Sequence, residues 1–460
     1  MPQLSSQNLT KRLSLALSSK FAKPYQSSNT RIIPQLVSHN LIRHLSEVVK
    51  PYKLSRTPFS PHTPANFLDT AQRKMPPFQK ASVGSLQTFV LPDAVEDNEQ
   101  GRTLGKAMIN AWQKTGIFQI QVTTNQQKML RECFQTSKEF FQLPSEKKAK
   151  FVDDQSFSGY IASGEEITDG IADYSEIFTV TKDLPQSDVR VQNHWPCHGP
   201  CPWPSQAYKE RMDQLMNLLG QSGEKLLKLT ALGLGLENPA AFLELTQDGW
   251  HHMRILRFPQ VDKTNGKGKT GRGIGSHTDY GLLVIAGQDD IGGLFVRPRV
   301  EGESIKNWQS SAAGLNENDE KWLFVPPVEN TLTVFPGKGN LHVFNLKLTY
   351  CSSLIGDMMQ LLTNDILPST PHKVGLNTSE RYAFAYFHEP NFSSVIEPLA
   401  EYREKIHYGT HFTNMFMRNY PERVTAKRIY AEHRLKLLDR LREDALSRHG
   451  INTKYEVGKV

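Results

Sequence analysis

The stretch RGIGSHTDYGLLVIAGQDDIGGLFVRP, residues 272–298, decides the fold. Short apolar runs alternate with glycine breaks, which predicts short strands in series. Within it, His277 and Asp279 stand two apart. In a strand, period-two geometry puts both side chains on one face. A His and a carboxylate so placed can begin a two-His-one-carboxylate metal site with open coordination positions. The pair recurs often by chance, so it needs a distant second His and a group that holds a co-substrate.

Both stand in STPHKVGLNTSERYAFAYFHEP, residues 369–390. His372 follows Pro371 and opens a strand, and Arg381 lies in the next one. A guanidinium there grips a carboxylate with a bidentate fork. Iron that also binds a 2-oxo acid needs such an anchor for the far carboxylate. The expected metal ligands are therefore His277, Asp279 and His372, with Arg381 as the anchor.

Outward from these motifs, residues 251–392 read as successive short strands with turn signals, which suggests a barrel or sandwich. Upstream, 101–120 reads as a helix running into a strand, with Leu104, Met108, Ala111 and Trp112 on one face and Gly116 at the break. Residues 126–144 form a second amphipathic helix and 206–234 a long one, and helix returns over 398–445. The fold class is α+β: a double-stranded β-helix (jelly-roll) core with an N-terminal α/β segment and C-terminal helices. Its regions are a leader over 1–84, an N-terminal region over 85–245, the core over 246–395, helices over 396–445 and a tail over 446–460.

The chain carries +7 and invites a nucleic-acid reading. Residues 1–74 hold 11 Lys/Arg and two acids, a net +9, so the remainder is slightly acidic at −2. The basicity belongs to the leader, and no nucleic-acid partner is expected. Leu9, Leu13, Leu17 and Phe21 recur at i+4 on a Ser-, Lys- and Arg-rich background. That is the composition of a mitochondrial transit peptide; a disordered tail, or sequence joined upstream of a start at Met75, is the alternative. No window approaches 18 uninterrupted apolar residues, so no membrane span is expected. Four cysteines are too few for a disulfide framework and read as reduced, intracellular thiols, with a cytoplasmic location expected unless the leader targets mitochondria.

Two other motifs carry less. GKGKTGRG, 266–273, has Lys263 where a phosphate loop needs Gly, and reads as a flexible basic surface loop. WPCHGPCPWP, 195–204, crowds Cys197, His198 and Cys201 into a Pro-rich turn, and reads as a rigid packed loop rather than a zinc site.

From about Leu86 to about Arg434, the chain resembles the iron(II)- and 2-oxoglutarate-dependent dioxygenases of the isopenicillin-N-synthase-like type. SGYIASGEEITDG, DGWHHMRILRFP and IHYGTHFTNMFMRNYPER resemble its ethylene-forming branch, which also hydroxylates L-arginine. The resemblance implies Fe(II) on His277, Asp279 and His372. It places 2-oxoglutarate on Arg381 and Arg254, walled by Phe335, Ala383, Ala385 and Phe387. L-arginine would meet Glu166, Thr168, Tyr280 and Arg418. The wider family has Ser where Ala383 stands, and Asn419 replaces a Cys of bacterial members. It further implies a monomer acting on 2-oxoglutarate, L-arginine and oxygen, supported by ascorbate.

Spacing departs from the family. His277 and His372 are 95 residues apart, or 76 with the 19 residues of 338–356 set aside. KGNLHVFNLKLTYCSSLIG follows Gly337 and ends on the equivalent Gly356, and corresponds to 57 nucleotides, a whole number of codons. Gly-Lys can be encoded with a splice-donor sequence. A translated retained intron is expected, with a surface loop as the alternative.

Overall fold

The stretch 272–298 contributes three strands to the computed structural model, which describes residues 65–77, 79–304, 308, 319–336, 358–398 and 405–448. The described strands begin with β1 (Ser82–Val83), β2 (Thr88–Phe89), β3 (Phe118–Gln121), β4 (Gly159–Ile161), β5 (Ile167–Thr168), β6 (Ile171–Ala172), β7 (Glu176–Val180), β8 (His252–Phe258) and β9 (Arg272–His277). They continue with β10 (Leu283–Gln288), β11 (Leu294–Val296), β12 (Leu323–Val325), β13 (Thr331–Pro336), β14 (His372–Gly375), β15 (Arg381–His388), β16 (Val395–Ile396) and β17 (Ile406–His407).

Two sheets make the core. The larger runs β2-β3-β13-β10-β15-β8-β7-β4 and the smaller β1-β12-β11-β14-β9. Non-sequential neighbours mark the crossovers of a jelly roll. Val284, Phe335 and Phe387 of the larger sheet pack with Leu294, Val296 and Val325 of the smaller, so the apolar layer lies between them. This is the expected double-stranded β-helix.

The helices have readable signals. Helix α1 is Ala65–Arg73 and α2 is Glu99–Thr115. Asn98 caps α2 by accepting from the Gly101 amide at 2.9 Å, and Gly116 ends it at φ 78°, a left-handed conformation that costs glycine little. Helix α3, Thr124–Phe141, starts with a reciprocal Thr123–Gln126 capping box. Helix α4 spans Gln206–Leu234, as expected. At the crossing of α2 and α4, a Cβ on Gly105 would lie 2.3 Å from the Leu229 carbonyl oxygen. Glycine there lets two backbones meet. After the core come α5 (Tyr408–Asn419), α6 (Val424–Ala431) and α7 (Arg434–Arg448). No helix among the described residues is long and apolar enough to cross a membrane.

Three expectations need correction. The leader does not extend to residue 84, because α1 and β1 are folded: Ala71, Met75 and Val83 pack with Phe295, Trp322 and Phe324. Their apolar faces cover the outer side of the smaller sheet. Asp279 is not on a strand with His277, since β9 ends at His277. The turn after the strand, rather than the pleat, returns its carboxylate. The basic loop 266–273 is not all surface: β9 begins at Arg272, which is 3% exposed and pairs with buried Asp173. The transit-peptide helix and the 338–356 segment lie outside the described residues.

Candidate active site

Antiparallel register brings the two histidines together. His372 on β14 lies opposite His277 on β9. Asp279 Oδ1 is 3.7 Å from His277 Nε2, and Oδ2 is 3.4 Å from His372 Nε2. One ligand atom from each residue lies within 4.8 Å of the others. Each ring is oriented from behind: His277 Nδ1 is 2.8 Å from the Gly275 carbonyl oxygen, and His372 Nδ1 is 3.1 Å from that of Thr370. Those carbonyls take the Nδ1 protons and leave the Nε2 lone pairs facing Asp279. Burial pushes His277 down to about 3, so it is neutral at pH 7, as a ligand must be. Two imidazoles and a carboxylate suit iron(II) and leave open positions for other ligands.

Beside this cluster is a cavity of about 630 Å³, open mouth included. Period two along β15 points Arg381, Ala383, Ala385 and Phe387 into it. Leu256 of β8, Val284 of β10 and Phe335 of β13 complete an apolar wall. Arg381 is 3% exposed and its guanidinium carbon lies 5.0 Å from the Phe258 ring centroid. Its Nη2 donates to Gln288 Oε1 at 3.2 Å. Arg381 Nε and Nη1, and Gln288 Nε2, are buried without a protein partner. Burial pulls Arg381 down to about 10, with Asp289 opposing. A buried cation with two spare donors in an apolar pocket calls for a carboxylate. The residues therefore fit iron(II) and a 2-oxo diacid.

The remaining expected residues form two contacts. Arg254 lines the same cavity, and its Nη2 donates to Glu166 Oε2 at 2.5 Å. Arg418 Nη2 donates to the Tyr280 hydroxyl at 2.7 Å. Thr168 Oγ1 donates to Asp173 Oδ2 at 2.5 Å instead of facing the cavity lining. Glu166, Thr168, Tyr280 and Arg418 do not line the cavity beside the metal cluster.

Four supporting residues escaped the sequence reading. Gln288 shares Arg381. Asp173 accepts from the Gly275 amide at 3.0 Å and so fixes β9 two residues before His277. Glu389 is fully buried, accepts from the Leu282 amide at 3.0 Å, and holds the turn after Asp279. Burial pushes its carboxyl up to about 8. Tyr420 donates to Glu166 Oε1 at 2.5 Å. Only Tyr420 had a signal, standing two residues beyond Arg418 in a matched segment.

Residues 86–206 match the family described as non-haem dioxygenase in morphine synthesis N-terminal, and 250–390 match the 2OG-Fe(II) oxygenase superfamily. The chain is 50% identical to the 2-oxoglutarate-dependent ethylene/succinate-forming enzyme of Ralstonia nicotianae, across 77% of this chain and 97% of that protein. It is 29% identical to a homoarginine-6-hydroxylase of Glycine max, across 68% of this chain and 88% of that protein. A full-length protein of Neurospora crassa, crystallised in complex with alpha-KG, has a similar fold, with TM-score 0.55 at 22% identity, covering 72% of this chain and 95% of that one.

Proposed function

Since the chain belongs to the 2OG-Fe(II) oxygenase superfamily, we propose that it converts 2-oxoglutarate and oxygen to ethylene and carbon dioxide. In the same site it hydroxylates L-arginine, giving succinate, guanidine and pyrroline-5-carboxylate. The observation that carries the site is Arg381: a buried guanidinium with two unpartnered donors, in the cavity that also holds the ligand cluster.

His277, Asp279 and His372 hold iron(II). The metal supplies the oxygen chemistry when bound, while the protein supplies orientation and electrostatics. The Arg381 fork takes the distal carboxylate of 2-oxoglutarate. Phe335, Ala383, Ala385 and Phe387 exclude water and limit how the co-substrate twists, and that twist steers it between the two outcomes. Arg254 serves the same co-substrate. Glu166 receives the guanidinium of L-arginine, Arg418 its carboxylate, and Thr168 and Tyr280 flank them. Ascorbate keeps the metal reduced.

A hydroxylase of a guanidino acid that releases no ethylene is the second reading, favoured by the likeness to the Glycine max homoarginine-6-hydroxylase. One experiment tests both. The chain is made with and without residues 338–356 and supplied with iron(II), ascorbate, 2-oxoglutarate and L-arginine. Headspace ethylene, succinate and guanidine are measured. Succinate and guanidine without ethylene select the hydroxylase, and no product from the shortened form refutes the enzyme reading.

A further inference from the structure

Arg254 makes with Glu166 the contact that a guanidinium substrate would make. Its Nη2 donates to Glu166 Oε2 at 2.5 Å and to the Tyr420 hydroxyl at 3.2 Å, while Tyr420 donates to Glu166 Oε1 at 2.5 Å. Glu166 and Tyr420 are buried and Arg254 largely so: the Arg254 and Glu166 side chains are 15% and 6% exposed, and Tyr420 is 5% exposed. A second guanidinium reaching this carboxylate in bidentate fashion would have to share Oε2 with Arg254, setting two like charges side by side on one acceptor.

Arg254 also faces the other way. It lines the cavity with His277, Asp279 and Arg381, and its Nε is buried without a partner. An anion in that cavity offers the acceptor that Nε lacks. Arg254 thus has two alternative counter-ions, Glu166 and a cavity anion. Glu166 has two alternative cations, Arg254 and a substrate guanidinium.

Resting on the function proposed above, we propose that Glu166 exchanges one guanidinium for another. L-arginine takes Glu166, Arg254 turns to a carboxylate oxygen of 2-oxoglutarate, and the Tyr420 hydroxyl keeps the Glu166 carboxylate in place throughout. Either ligand alone breaks the Arg254–Glu166 pair and leaves one buried charge unmatched, which is costly. Both together match every charge. The two ligands therefore bind cooperatively, and the coupling is reciprocal. Tyr420 is a positioning residue, acting through Glu166.

The test is anaerobic calorimetry of 2-oxoglutarate binding to the full chain loaded with iron(II). Saturating L-arginine should tighten binding by roughly 5- to 150-fold, the usual range of such coupling. L-citrulline, which lacks the charge, should not. Glu166→Gln loosens the tether, so 2-oxoglutarate alone should bind it several-fold tighter than the parent, and L-arginine should add nothing. Tyr420→Phe, which removes one hydroxyl, should shrink the coupling, and it stands in if the Gln variant does not fold. Parent affinity unchanged by L-arginine, or tightened equally by L-citrulline, overturns the exchange. So does a Glu166→Gln chain that binds 2-oxoglutarate no tighter than the parent, or a Tyr420→Phe chain with undiminished coupling. Normal products from L-arginine with uncoupled binding would leave the proposed function standing and remove only the exchange. If L-arginine neither binds nor yields product, the functional reading fails, and tightening in Glu166→Gln still reports on the tether.

Discussion

His372 stands directly opposite His277 across β14 and β9, with ring centroids 4.2 Å apart. Neither ring is placed by its sequence neighbours alone. Antiparallel pairing aligns the two Nε2 atoms, and Asp279 closes the third side. Replacing His372 by Ala removes one of three proposed ligands from a preorganised set. Metal content after loading, read by elemental analysis, should fall from about one iron per chain toward none. Retention of a full equivalent would remove His372 from the ligand set.

Arg381 is the proposed deep anchor. Arg381→Ala should weaken 2-oxoglutarate binding by at least roughly 30-fold, from the ~2–5 kcal/mol cost of truncating one partner of a buried charge pair. Arg381→Lys keeps the charge and loses the fork, so its loss should be smaller but clear. Calorimetry without oxygen reads both. Parent-like affinity in the Ala variant would mean that the co-substrate is anchored elsewhere.

Arg418 is exposed and touches Tyr280 rather than the metal cavity. Arg418→Ala should raise the KM for L-arginine roughly tenfold or more, since a hydrogen bond to a charged group contributes ~1.5–3 kcal/mol. The affinity for 2-oxoglutarate alone should hold. Equal losses for both ligands would contradict the assignment.

Gly105 tests the helix crossing. In Gly105→Ala the new methyl has backbone in its way on α4, at Leu229 and Gly233. Overpacking of this kind costs ~1–3 kcal/mol. The variant should melt several degrees below the parent in a thermal scan. An unchanged melting temperature would show that the helices slide apart freely.

Acid should weaken the fold through buried neutral histidines. His198 is stacked on Trp250, with centroids 4.1 Å apart, and burial pushes it down to about 3. His252 stacks on Phe387 and is also pushed down to about 3 by burial. The unfolded chain takes up these protons near pH 6.5 and the folded chain does not. Stability from this source is fully present above pH 6.5 and falls steadily as pH drops toward 3. Each group contributes a slope of about 1.4 kcal/mol per pH unit in that window. Denaturant titrations at pH 7 and pH 5 should show the loss, and His198→Phe should lessen it. Identical pH dependence in the variant would exclude His198 as a source.

The residues of the candidate metal cluster were legible because their combination is specific although the pair alone is common: His277-x-Asp279, a distant His372 and an Arg381 behind it. The wall of Phe335, Ala383, Ala385 and Phe387 came from the family resemblance, and the pleat of β15 explains why three of its members share the face of Arg381. The pairing that Glu166 makes was not. Its partners, Arg254 and Tyr420, are 88 and 254 residues away. Nothing in the local pattern says which cation a lone carboxylate will meet. The folded status of 65–84 was missed for a related reason: a short helix and a two-residue strand have little periodicity of their own and are stabilised by the sheet they cover.

Local pattern was enough to set the longer helices, the run of core strands and the candidate ligand chemistry, because periodicity, caps and donor groups are properties of neighbouring residues. It took tertiary packing to settle that a turn returns the Asp279 carboxylate to His277, that Arg381 has spare donors, and that Arg254 occupies Glu166. Those depend on register, burial and competition among charges, which exist only once distant segments share one low-dielectric interior.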